Sequence, residues 1–201
     1  MHVAKRRNDT LKRRVGNREY RDVCWVSPEG RTEADYLVMD AFKDSSVTVR
    51  FPENIHPSRR DPKQVLKRFQ KAMRDHDFRK GDEAWILVDI DDWDEADIRG
   101  LLRWAAEDPR HHVAISNPKF ELFLVMHFER ANGCTTPQAV DTALRKHMPR
   151  YDKRLTKTQF RHPQIEEAVA NAKVKRAGCK DDVPAPGMTD VHLLVERLLN
   201  S

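Results

Sequence analysis

The nine residues Ala84-Trp85-Ile86-Leu87-Val88-Asp89-Ile90-Asp91-Asp92 constrain this chain most. From Ala84 to Val88 the only polar side-chain group is the ring nitrogen of Trp85. A short, unbroken apolar run reads as a strand buried on both faces, as in a parallel sheet. Helices must then cover both sides, which predicts an α/β chain. The run ends in acid. Side chains alternate along a strand, so Asp89 and Asp91 project to the same side. In open α/β sheets the ligand crevice lies outside the carboxyl ends of the strands. Two carboxylates brought together there repel, and a bound cation relieves them. Mg²⁺ fits such a place, because it takes hard oxygen ligands and keeps waters for a phosphate. The competing reading is that the aspartates only cap the next helix, expected over 94–106. That is the stronger reading for Asp92 and Asp94, since Asp is favoured at N-caps. It is the weaker one for Asp89 and Asp91, since Asp is depleted within strands.

The flanking sequence supplies further strands and helices. Asp22 to Val26 reads as a first short buried strand. The turn Ser27-Pro28-Glu29-Gly30 leads to a helix over 33–43, with Thr32 as its cap and Ala34, Leu37, Val38 and Ala41 as its apolar face. Glu29 thus occupies a strand-to-helix loop, the topological counterpart of Asp89. A second strand is expected over 46–51. A proline-rich loop follows, holding His56, Arg59 and Arg60, and then a helix over 63–77. Another strand covers 111–116. After it, Ser116 or Asn117 is placed to cap a helix opening with Pro118. Glu121 falls in the first turns of that very apolar helix, facing the crevice of Asp89 or serving the helix dipole. His127 projects from a different part of its surface. The rest is helical with breaks, and Val191, Leu194, Val195 and Leu198 form an apolar stripe on the last helix.

Charge is uneven. The formal net charge is +5, yet Lys5, Arg6, Arg7, Lys12, Arg13, Arg14, Arg18 and Arg21 oppose only Asp9 and Glu19 in residues 1–21, which leaves the remainder slightly acidic. Such an arm suits phosphate contact through counterion release, or else a solubilising tail or a protein contact. Three cysteines, widely spaced and without a CxxC pair, argue against a disulfide framework or structural zinc. No stretch has the roughly 20 apolar residues of a membrane helix, and the N-terminus lacks a signal-peptide core. A cytoplasmic protein is expected. Neither GxxxxGK[ST] nor GxGxxG occurs, which argues against ATP hydrolysis by this chain.

Three segments in this order carry a resemblance: Pro28-Glu29-Gly30-Arg31-Thr32-Glu33-Ala34-Asp35-Tyr36, then Ile86-Leu87-Val88-Asp89-Ile90-Asp91-Asp92, then Ser116-Asn117-Pro118-Lys119-Phe120-Glu121, running on to His127-Phe128. Together they resemble the RloB-like (AbiLii-like) family of Toprim-fold proteins. The likeness spans about residues 22–200. It implies a Toprim-like, mostly parallel sheet flanked by helices, with a helical C-terminal extension. The expected organisation is a basic arm over 1–21, a catalytic core over 22–130 and a helical part over 131–201 packed on that core. Ile90 and Trp93 depart from the Arg and His usual in the family, and Phe123 from its Trp.

The resemblance implies Mg²⁺, with Mn²⁺ as a substitute, held by Glu29, Asp89, Asp91 and Asp92. The implied activity is phosphodiester hydrolysis of RNA, including tRNA, or of DNA, by an effector of an anti-phage or abortive-infection system. Glu29, Asp89, Asp91 and Glu121 form the expected catalytic set. Arg31, Glu33, Asn117, Lys119 and His127 are expected at the substrate, and Lys5, Arg6, Arg7, Lys12, Arg13 and Arg14 on nucleic acid. An AAA-type ATPase encoded nearby is the expected partner, with self-association open. The rival from another class is a non-catalytic regulatory subunit, for which the apolar last helix would suit docking. A topoisomerase is disfavoured, because only Tyr20, Tyr36 and Tyr151 are present and no second large domain carries a nucleophile.

Overall fold

The computed structural model describes residues 21–52, 62–74, 78–90 and 94–200. Its five strands form one sheet in the order β2-β1-β3-β4-β5. Strands β1 (Asp22–Ser27), β2 (Val47–Arg50), β3 (Glu83–Asp89) and β4 (His111–Asn117) run parallel, and β5 (Met188–Thr189) is antiparallel to β4. The helices are α1 (Arg31–Leu37), α2 (Pro62–Arg74), α3 (Glu95–Glu107), α4 (Glu121–Val125), α5 (Pro137–His147), α6 (His162–Arg176) and α7 (Val191–Leu199). This is the expected α/β class, a mostly parallel sheet flanked by helices.

The apolar run over 84–88 is the centre of that sheet, and its alternation feeds two cores. Ala84, Ile86 and Val88 pack with Trp25, Phe69, Ile98, Leu101 and Trp104, under α2 and α3. Trp85 and Leu87 face the larger core with Tyr36, Phe120, Phe123 and Val140, under α1, α4 and α5. All five residues are at most 4% exposed. A strand hydrophobic at every position is therefore buried at every position, as a two-faced parallel strand must be.

The C-terminal part completes this architecture. Strand β5 pairs Thr189 with Ser116 and Met188 with Asn117. Val191, Leu194, Val195 and Leu198 of α7 are at most 2% exposed. The apolar stripe read as a docking face is instead part of the larger core. Among the described residues no helix is long and apolar enough to cross a membrane.

Two helices differ from expectation for identifiable reasons. The first begins at Arg31 and closes at Leu37, followed by a 3-10 turn over Asp40–Phe42. Its N-cap is Gly30, not Thr32, and the Glu33 carboxylate reaches back to accept the Gly30 N–H at 3.1 Å. A Cβ at position 30 would meet that carboxylate at 3.0 Å, so glycine keeps the approach open. Val38, expected on the apolar face, is 43% exposed, whereas Tyr36 is fully buried. The second is α4. Ser116 and Asn117 do not cap it; they stay in β4, held by β5 and by the bond from Asn117 Nδ2 to the Pro184 carbonyl at 2.9 Å. The Asn117–Pro118 bond is cis, and the helix begins only at Glu121. A strand partner about 70 residues away decided that boundary. The third long helix behaves as read: Asp94 caps α3, accepting the Asp97 N–H at 2.8 Å.

Candidate active site

The strand order turns at β1 and β3. From β1 the chain passes through α1 to β2 on one side, and from β3 through α3 to β4 on the other. The two connections leave on opposite faces, since α1 packs in the larger core and α3 in the smaller. Such a switch point opens a crevice between the strand ends, which is where open α/β sheets hold ligands.

Glu29 and Asp89 meet there. Glu29 follows β1 directly, and its Oε2 accepts the backbone N–H of Asp89 at 2.6 Å. Alternation places Asp89 on the face of Trp85 and Leu87, the side of α1 and α4. Both residues are half-buried. Beside Glu29 a cavity of about 180 Å³ is lined by Arg31, Ala34, Phe51 and Pro52. Arg31 opens α1 and is exposed at this rim.

A buried polar cluster stands next to this pair. Glu33 and Glu121 are 5% and 3% exposed. Burial above all, with the field of Glu121 adding to it, pushes the Glu33 carboxyl up to about 7, against the bonds from backbone amides. Glu121 Oε1 accepts from Tyr151 OH at 2.9 Å and from Lys153 Nζ at 2.5 Å. Thr32 Oγ1 lies 2.9 Å from Tyr151 OH and donates to the Lys153 carbonyl at 3.0 Å. Burial raises the Tyr151 phenol well beyond its ordinary value, keeping it a neutral donor.

Other expected site residues are engaged by neighbours of their own. Lys119 is 9% exposed and its Nζ donates to Asp141 at 2.8 Å. Asn117 is taken up by the Pro184 carbonyl. His127 is a core residue, 4% exposed, with Nε2 at 2.9 Å from Tyr36 OH and Nδ1 at 3.0 Å from the Phe123 carbonyl. It stacks on Phe160 at 3.9 Å, and burial lowers its pKa to about 4. Its ring therefore offers no surface to a substrate. Asp91, Asp92, the loop residues His56, Arg59 and Arg60, and the basic residues Lys5, Arg6, Arg7, Lys12, Arg13 and Arg14 lie outside the described residues. Thr32, Tyr151 and Lys153 were missed by sequence reasoning. Tyr151-Asp152-Lys153-Arg154 reads as a polar tract between helices, and no spacing ties it to Glu121.

Among the described residues no group of three His, Cys, Asp or Glu side chains is placed to hold a metal. Glu29 and Asp89 supply oxygen ligands of the kind Mg²⁺ takes, and two of the four expected acids fall outside the described residues. The donor set so far fits a hard divalent cation in chemistry and not yet in number.

Fold and site thus define a doubly wound α/β protein with an acidic crevice at its switch point. Residues 25–198 match the model of the family described as RloB-like protein, and the chain belongs to that family. No curated protein and no solved structure matches it.

Proposed function

We propose that this RloB-like protein is a Toprim-type, Mg²⁺-dependent nuclease serving as the effector of an anti-phage system. The observation that carries the reading is the bond from the Asp89 amide to the Glu29 carboxylate at the switch point. It brings together acids 60 positions apart at the one place where this topology opens a crevice. Glu29, Asp89, Asp91 and Asp92 would hold the ion. When bound, Mg²⁺ supplies Lewis-acid polarisation of a phosphate oxygen and a bound water of lowered pKa. Asp89 would be one of the ligands to the ion, and its own amide orients Glu29. Glu29 is suited to take the proton of an attacking water. Arg31, at the rim, is suited to the phosphate charge. In this reading the controlling partner is an AAA-type ATPase. The burial of α7 removes the feature that favoured a docking subunit instead.

The test is cleavage of labelled DNA and total tRNA by the full chain, with and without its neighbouring ATPase, in Mg²⁺, Mn²⁺ or EDTA. Cutting should vanish in EDTA. Removing a group worth several kcal/mol to the transition state should cost Asp89→Ala about a thousandfold in rate. Metal-dependent cutting by pure Asp89→Ala at the wild-type rate would sink the reading.

A further inference from the structure

The loop between α5 and α6 brings a cation to the acidic end of the sheet. Lys153 has φ +69. Left-handed backbone is uncommon for a residue with a side chain, and such positions persist only when their surroundings hold them. Here the surroundings do. Thr32 Oγ1 donates to the Lys153 carbonyl. Arg154 Nε and Leu155 N–H both donate to Asp35 Oδ2, at 2.7 and 3.2 Å. The Asp40 N–H donates to the Lys157 carbonyl at 2.8 Å. Residues 151–157 are thus tied along α1, the helix that follows Glu29.

Lys119, the lysine expected at the substrate, and Lys153 are held in different ways. Lys119 spends its ammonium on Asp141, with its side chain only 11% exposed. The Lys153 side chain is 63% exposed, while its partner Glu121 is 4% exposed. Partial burial opposes the lysine's charge, but the bond to Glu121 and the fields of Glu121, Asp141 and Asp89 raise its pKa and keep it charged. A carboxylate as buried as Glu121 needs donors, and Tyr151 is already one of them. Satisfying Glu121 does not require a lysine that remains largely in water, on a backbone held in an uncommon conformation, and within the field of Asp89.

We infer that Lys153 is a phosphate-contacting residue of the crevice, held at the acidic end of the sheet by Glu121 acting as a positioning residue. Its ligand is a backbone phosphate of nucleic acid. The inference rests on the proposed nuclease reading for its substrate, but it is testable without cleavage.

The measurement is binding of a fluorescent single-stranded RNA to the full chain in EDTA over a range of salt. Each phosphate neutralised on a single strand contributes about 0.7 to the slope of log K against log salt. Lys153→Met should lower that slope by about 0.7, and Lys153→Arg should restore it. Glu121→Gln keeps the ammonium, so its slope should stay while affinity falls severalfold. In the double variant Glu121→Gln/Lys153→Met no buried carboxylate is deprived of its lysine, and binding should still be as poor as in Lys153→Met. Recovery in the double variant would mean that Lys153 acts only by satisfying Glu121, and would overturn the inference. An unchanged slope in Lys153→Met, or no RNA binding by wild type, would also overturn it. Cleavage in Mg²⁺ is scored separately. Cutting by wild type with an unaltered slope in Lys153→Met rejects the phosphate contact and keeps the nuclease. A lowered slope without any cutting keeps the contact and rejects the nuclease.

Discussion

The two ends of the parallel sheet carry the same residue types and use them in opposite ways. At the amino end, Glu83 opens β3. Its Oε1 accepts from Arg197 Nε at 2.6 Å and its Oε2 from Trp85 Nε1 at 2.9 Å. Asp82 beside it accepts the N–H groups of Val23 and Arg79, each at 2.9 Å. Cys24 lies under this cluster, and burial pushes its thiol up to about 12, so it stays protonated and inert. At the carboxyl end, Glu29 and Glu33 accept from backbone amides, and Glu121 from a tyrosine and a largely exposed lysine. At the amino end a guanidinium neutralises Glu83 and backbone amides hold Asp82. At the carboxyl end backbone amides hold Glu29 and Glu33, and Glu121 has a tyrosine and a largely exposed lysine. The contrast between Glu83 under a guanidinium and Glu121 under a largely exposed lysine distinguishes the two ends more sharply than acidity alone.

The contrast can be broken most severely by exchanging the effects. Asp89→Ala should lose about a thousandfold in cleavage, while its melting temperature shifts by little. Glu83→Ala should do the reverse. It leaves the Trp85 ring N–H without its acceptor and Arg197 with Asp22 as its remaining ion-pair partner, a loss of about 1–3 kcal/mol, read as a lower denaturation midpoint at unchanged cleavage rate.

Titration sharpens the comparison next. The Glu33 carboxyl lies at about 7 when folded, raised by burial from 4.5. Between those values the folded chain holds a proton that the unfolded chain has lost, so stability falls as pH rises. His127 lies at about 4 when folded, lowered by burial from 6.5. In its window the unfolded chain binds the proton, so stability is present above 6.5 and lost as pH falls towards 4. The two slopes oppose each other from pH 4.5 to 6.5. Glu33→Gln should therefore make stability rise more steeply with pH there, and His127→Gln should turn the slope towards falling. Thermal melts at pH 5 and pH 6.5 check both signs, and identical pH dependence in all three proteins would discard the assignment.

The smallest effect concerns the strap on α1. The Arg154 side chain is 55% exposed and Asp35 19%. Arg154→Ala should cost about 0.2–1 kcal/mol, as exposed ion pairs do. Because Leu155 N–H still binds Asp35, urea denaturation should show little change, and cleavage should be nearly that of wild type.

Much of this was legible in sequence because it depends on short-range rules. The run over 84–88 could only be a strand buried twice, and Asp94 could cap α3 because an N-cap needs a side chain three residues from the amide it binds. Glu29 and Asp89 were readable as strand-end acids for the same reason. What the sequence could not supply were contacts set by distant segments. Glu121 is satisfied by Tyr151 and Lys153, some 30 residues on. His127 is claimed by Tyr36, 91 residues back. The start of α4 was set by β5, and Lys119 was spent on Asp141. By itself the sequence determined the strand, its acidic end and the α/β class, since periodicity and capping act within a few residues. Only the tertiary structure decided which partners hold Glu121, Lys119 and His127, because hydrogen-bond partners and burial belong to elements that meet through folding.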